Sequence, residues 1–399
     1  MVSFSKANAS SFLSPKQVKM GDGESEKIGD LFGAWQIQTG NVLVVADREM
    51  VNLGLINKVK TPLEAGKYPV FCFDNIVGEP TLEIVLELVA MARERSYTAV
   101  VGMGGGSAMD MAKLAAALAV NSGDVKDHFG ATSFKNKPLP LVLIPTTAGT
   151  GAEATGISML SVEGRKVIIV SPQLVPFAAV LDPQLTLTLP PGITAATGMD
   201  ALSHALEGFM SINASPFTDT QALSTMTVIS TWLKRAYDDG SNIEARRAMG
   251  YAAYTGGLSL NAGVVLGHSV AYTIANRAKM SHGVSCAMAL PFTVAYNSLV
   301  VSDRLSTAAV QVTGQPGASP GDLALWISEL NSYLKIPGSL KAIGLEEADL
   351  GEMEAECLNR YPRPTNPKAI TREALRVFYQ MMFEGDIKGC IDAFGKAST

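Results

Sequence analysis

The sequence predicts an α/β N-terminal domain, Rossmann-like with a doubly wound, mostly parallel sheet, followed by an all-α C-terminal domain. Three observations carry that expectation. Short β-branched apolar runs alternate with helical spacing through the first half. One of those runs ends in consecutive glycines and leads into a helix. After Pro190-Pro191-Gly192, strand-like runs give way to long Ala-, Leu- and Met-rich helical stretches. Strands that are apolar at every position are buried on both faces, as in a parallel sheet covered by helices. Their alternation with helices gives the doubly wound pattern.

The predicted strands are residues 41–47, 69–74, 97–103, 140–147, 167–170 and 178–181, with helices at 82–95 and 108–120. In the second half, helical segments at 193–210, 215–237 and 243–260 follow one another. A chain of 399 residues exceeds what one hydrophobic core usually supports. The boundary is therefore placed near 190, giving an α/β dinucleotide-binding domain at 1–190 and an all-helical metal-binding domain at 191–399. No repeat of 20 to 50 residues interrupts this division.

Composition narrows the function classes. With 32 basic against 37 acidic residues, a formal charge of −5 and no basic run, the chain is poorly suited to nucleic acid or an anionic membrane. The first twenty residues are interrupted by Lys6, Lys16 and Lys19 and do not read as an export signal. The most apolar later run, 114–120, is far shorter than the roughly 18 residues that span a bilayer. Cys72, Cys286, Cys357 and Cys390 form no C-x-x-C pair, which argues against a disulfide framework or a zinc ribbon. Buried free thiols in a reducing cytoplasm are expected.

The glycines fall in TAVVGMGGGSAMDMAKLAAALAV. A buried strand ends in Gly102, Gly104, Gly105 and Gly106, then come Ser107 and a helix carrying Asp110 and Lys113. Backbone without Cβ approaches a pyrophosphate closely, and the following helix offers free N–H groups and its positive dipole end. The loop is not the G-x-G-x-x-G fingerprint with a downstream acid. The candidate ribose acceptor is Asp47, at the end of the first strand, whose charge would repel a 2′-phosphate and so favour NAD over NADP. A second polar cluster, IPTTAGTGAEAT, places Thr146, Thr147, Thr150 and Thr155 at another strand end, suited to a nicotinamide amide and ribose.

The chain has four histidines, and three of them lie in the helical half. Asp200 and His204, spaced i,i+4, share one helix face within reach of a single ion, and His268 and His282 follow. One carboxylate with neutral imidazoles suits a borderline divalent ion such as Fe²⁺, Zn²⁺ or Mn²⁺.

The motifs GGGSAMDMAK, IPTTAGTGAEAT, ATGMDALSHALEGF and GHSVAY with the later SHG, in this order and spacing, resemble the iron-containing (group III) alcohol dehydrogenases from about Asn41 to Asp386. The resemblance implies a metal held by Asp200, His204, His268 and His282. It implies cofactor contacts at Asp47, Gly105, Gly106, Ser107, Asp110, Thr146, Thr147, Thr155 and Lys166, and an NAD-linked reaction between a primary alcohol and its aldehyde. A homodimer is expected on the same ground.

Two departures stand out. Many similar sequences have a proton-relaying histidine where this chain has Tyr272, so Tyr272 is the candidate catalytic side chain there. Glu79-Pro80-Thr81 stands where Asn-Pro-Thr is common. The rival reading is a lyase of the dehydroquinate-synthase type, whose Glu and two His differ from the set here. Arg277, Lys279 and Arg363 suggest that the substrate carries an anionic group.

Overall fold

The computed structural model describes residues 10–395. Met1 to Ala9, where the export-signal reading begins, and Lys396 to Thr399 lie outside it. The chain divides into two compact units, one from Leu13 to Leu189 and the other from Pro190 onward together with the segment that ends at Phe12.

The first unit is built on β1 (Gln17–Met20), β2 (Val42–Asp47), β3 (Val70–Ile76), β4 (Ala99–Gly104), β5 (Gly130–Ala131), β6 (Leu141–Pro145), β7 (Ile157–Val162), β8 (Arg165–Val170) and β9 (Ala178–Leu181). Six of these form one sheet in the order β1-β9-β6-β4-β2-β3, all pairs parallel. Successive residues of a strand feed opposite faces. Val42, Val44 and Ala46 join a core with Val101, Ile144 and Val180, while Leu43 and Val45 join another with Val100, Leu143 and Met109. Burial on both faces is why these strands read as unbroken apolar runs.

β1, β5 and β7 were not expected, and β8 lies in a different sheet from the one expected. β1 has no apolar signature because all four of its residues are exposed; it adds to the sheet edge along β9. Residues 167–170, expected in the parallel sheet, belong instead to β8, which pairs antiparallel with β7 in a separate three-stranded sheet. The turn between them holds Glu163 at φ 50° and Gly164 at φ 71°, the left-handed pair that closes a two-residue hairpin. Burial alternates along β7, so the hairpin shows one face to the core and lacks the uniform signature of the central strands.

The glycine run closes β4 and opens helix α1 (Gly106–Leu118). The second unit is helical throughout. Its central helix α2 (Pro191–Met210) begins with Pro at its first position and buries residues around its whole circumference, as a helix in the middle of a core must. Gly208 lets it approach its neighbour: a Cβ there would come within 2.8 Å of the Ser259 carbonyl oxygen. Helices α3 (Leu266–Ala278) and α4 (His282–Asn297) complete the part that carries the histidines. Among the described residues no single helix is long and apolar enough to cross a membrane.

Candidate metal centre and nucleotide loop

The helical unit brings its three histidines and Asp200 together. On α2, Asp200 and His204 lie one turn apart, with His204 Nε2 3.6 Å from Asp200 Oδ1. From α4, His282 Nε2 reaches the same oxygen at 3.7 Å. From α3, the His268 ring stacks on His204 at 5.1 Å and meets His282 edge-on at 5.3 Å. Asp200, His204 and His268 are buried, whereas the His282 side chain keeps 29% of its surface exposed and forms the open side of the cluster.

Two residues that the sequence reading did not single out complete the arrangement. Glu207, seven residues after Asp200 on the same face of α2, is buried and accepts from His268 Nδ1 at 2.6 Å. Its other oxygen accepts the N–H groups of Val265 (2.8 Å) and His268 (3.3 Å), satisfying the opening amides of α3. A buried acid thus caps one helix and fixes the tautomer of a histidine on it, leaving the Nε2 lone pair facing the cluster. Gly267 makes room for it, since a Cβ there would lie 2.7 Å from Glu207 Oε1. The second is Cys286, one turn after His282 on α4. Its sulfur lies 3.5 Å from His282 Nε2 and 3.8 Å from His268 Nε2. Donor atoms of Asp200, His268, His282 and Cys286 all fall within 4.8 Å of one another; His204 joins the group through Asp200 and its stacking on His268.

The electrostatics fit a cation. Burial works to raise the Asp200 carboxyl, but the attraction of His204, His282 and His268 and a hydrogen bond from Cys286 hold it below its ordinary value. Burial, with repulsion from His204, drives the His268 imidazole well below its usual range, which keeps it neutral. Burial pushes Glu207 up to about 7 and the Cys286 thiol well above its ordinary value. Asp200 Oδ1 and His204 Nδ1 are buried without a hydrogen-bond partner. Unpaired buried polar atoms are costly, and Asp200 Oδ1, with the Nε2 atoms of His204 and His282 turned toward it, is what a divalent ion satisfies.

Tyr272 stacks on His282 with centroids 5.4 Å apart and planes at 16°, and the guanidinium of Arg363 stands 5.6 Å above its ring. Burial raises its phenol above the ordinary range. Arg277, by contrast, is paired with Glu356 at 2.5 Å and Glu352 at 3.2 Å, and Lys279 is exposed at the end of α3.

In the first unit, Asp47 Oδ2 accepts the Gly105 N–H at 2.7 Å. A Cβ on Gly104, which has φ +150°, would lie 2.2 Å from that oxygen, and one on Gly106 would lie 2.9 Å from Thr150 Cγ2. Asp47, Gly105, Gly106, Ser107, Thr147 and Thr150 therefore gather, partly exposed, at the C-terminal ends of β2, β4 and β6. Thr146 is buried, its N–H bonded to the Gly104 carbonyl.

Three other expected cofactor residues are engaged by the protein itself. The Asp110 carboxylate takes Lys113 at 3.0 Å and the Met159 N–H at 3.0 Å, tying α1 to β7. Thr155 accepts from the same Lys113 at 3.3 Å. Lys166 pairs with Glu79, the first residue of Glu79-Pro80-Thr81.

Comparison with known proteins covers both units. Residues 15–183 match the family described as iron-containing alcohol dehydrogenase, and residues 194–383 match the C-terminal part of the Fe-containing alcohol dehydrogenase family. The long-chain-alcohol dehydrogenase 1 of Geobacillus thermodenitrificans is 36% identical over 357 residues, covering 87% of this chain and 90% of its own. A solved 1,3-propanediol oxidoreductase superposes with a TM-score of 0.90 at 28% identity, over 94% of this chain and all of its own. Sulfoacetaldehyde reductase from Bifidobacterium kashiwanohense, solved in complex with NAD⁺, superposes with a TM-score of 0.86 at 28% identity, over 94% and 99%.

Proposed function

The chain belongs to the iron-containing alcohol dehydrogenase family, and on that premise we propose that it interconverts a primary alcohol and its aldehyde with NAD at a divalent ion held by Asp200, His204, His268 and His282. Fe²⁺ is the ion the family name points to. The observation that carries this reading is the buried, unpartnered Asp200 Oδ1, which lies 3.6 Å from His204 Nε2 and 3.7 Å from His282 Nε2. A dehydroquinate-synthase-like lyase is not favoured, because both units match alcohol dehydrogenases.

When bound, the ion supplies a Lewis acid for the substrate oxygen and the nicotinamide a hydride acceptor or donor at C4. The protein's own residues do the rest. Asp200 contributes a carboxylate charge among neutral imidazoles. Glu207 holds His268 in the tautomer that presents Nε2. Tyr272 keeps the His282 ring in place by stacking, and its phenol, raised by burial, retains its proton at neutral pH and donates rather than abstracts. Asp47, which already orders the glycine loop through Gly105, offers its remaining oxygen to a ribose hydroxyl.

The substrate class we propose is an aldehyde or alcohol with an anionic group, recognised by Arg363. Of the three cations considered, Arg277 is spent on two glutamates and Lys279 is exposed. Among the described residues no carboxylate lies within ion-pair distance of Arg363, whose charge is felt at Glu207, His268, Tyr272 and Cys286.

The test is direct. Chelated protein reloaded with Fe²⁺ is expected to form NADH from alcohols, and His268→Ala is expected to lose both metal and turnover while still binding NAD. Wild-type kcat in a metal-depleted His268→Ala would refute the metal assignment. Arg363→Ala is expected to lose about 2 kcal/mol in kcat/KM on an anionic aldehyde alone; equal wild-type rates for anionic and neutral isosteres would remove the substrate-class reading.

A further inference from the structure

Cys286 is placed as a ligand would be. It lies one turn after His282 on α4, so both side chains face the same way. The side chain is 1% exposed, and its sulfur's hydrogen-bonding neighbours are candidate ligands: His282 Nε2 at 3.5 Å, His268 Nε2 at 3.8 Å and the Asp200 carboxylate. Neighbouring donors that share one ion through bonds of about 2.0–2.3 Å lie roughly 3–4 Å apart. The sulfur-to-nitrogen distances fall in that range before any adjustment. The unpartnered Asp200 Oδ1 belongs to the same four-donor group, an independent sign that the space between these atoms is made for an ion.

We propose that Cys286 binds the metal as a thiolate, so that the centre has a mixed set of carboxylate, imidazole and sulfur donors. The proposal rests on the metal reading above. The thiol gives up its proton to solvent as the cation arrives, because a bound divalent ion reverses the preference that burial alone imposes. A sulfur donor makes the centre softer than carboxylate and imidazole would, and so favours Zn²⁺ and Co²⁺ over Fe²⁺ relative to a site without it.

Cobalt reports both readings separately. Metal-free full-length protein titrated with Co²⁺ is expected to develop visible d–d bands, from an ion among imidazoles, together with a near-ultraviolet sulfur-to-cobalt charge-transfer band. Cys286→Ser is expected to lose the charge-transfer band, keep the visible bands, and bind Co²⁺ more weakly by on the order of 10- to 100-fold, at least the range seen for groups that only support ligands. Cys72, Cys357 and Cys390 remain in that variant, so the lost band belongs to Cys286. Should Cys286→Ser fold poorly, the wild-type spectrum decides alone. Visible bands without a charge-transfer band overturn the thiolate ligand and leave the histidine centre standing. Failure of wild type to bind Co²⁺, or equal binding by His268→Ala, overturns the centre and the thiolate with it.

Discussion

Single carboxylates in this protein hold two things at once, and that sets what their removal should do. Glu207 orients His268 and caps α3, so Glu207→Gln, which keeps one acceptor, should lower metal affinity by about 10- to 100-fold and leave NAD affinity unchanged; calorimetric titration of each ligand separates the two. Asp47 holds the Gly105 amide. Asp47→Asn keeps that acceptor and removes the charge, and should shift the NADP-to-NAD ratio of kcat/KM by about 10- to 100-fold, the 1–3 kcal/mol expected of a screened charge pair. An unchanged ratio would show that Asp47 only orders the loop. Tyr272→Phe keeps the stacking on His282 and removes the phenol donor, and should lower kcat by about 10²–10⁴; a loss of less than tenfold with an unchanged pH profile would leave stacking as its only part. The three clustered histidines were legible because the chain has only four. Glu207 was not, since a glutamate on a helix ordinarily faces water, although its place at i+7 from Asp200 in an otherwise apolar helix was a usable signal. Cys286 was expected only as a buried free thiol, and its i+4 spacing from His282 was the missed sign.

At the scale of elements, the loop Thr146 to Thr155 carries Glu153, a carboxylate 1% exposed with neither oxygen hydrogen-bonded. Burial raises it from 4.5 to about 7. Its folded-state value thus lies above its unfolded one, so it imposes no ionisation cost below pH 4.5, and stability falls as pH rises toward 7 and the buried group must be charged. Glu153→Gln should therefore melt above wild type at pH 8, by at most about 3 kcal/mol, with the advantage fading toward pH 4.5; no gain at pH 8 would mean that the carboxylate finds a partner in solution. Elements themselves were legible where burial is two-sided. β2, β4, β6 and β9 announced themselves as apolar runs, whereas the exposed edge strand β1 and the half-buried β7 offered no such signature, and the apolar run at 167–170 marked β8 without revealing its antiparallel partner. The hairpin's own signal was its turn, a Glu-Gly pair at positive φ where Asn-Gly is the familiar choice.

Across the whole molecule, the glycine loop belongs to the Leu13–Leu189 unit and every candidate metal ligand to the other. Metal removal should therefore lower the melting temperature of the helical unit, since an ion at a hundred times its Kd adds about 2.7 kcal/mol to the state it binds, while NAD affinity changes little. Calorimetry with and without chelator checks this. The division also orders the protein's synthesis. The nucleotide unit is an uninterrupted stretch synthesised before Asp200, and domains generally fold as they emerge. The candidate metal centre draws on three helices and cannot form until His282 has followed. Phe12, whose ring meets Phe217 at 5.7 Å, precedes the nucleotide unit in the chain yet meets that partner only once the second unit has been made. A nascent chain is thus expected to become resistant to protease at the glycine loop well before it can retain an ion.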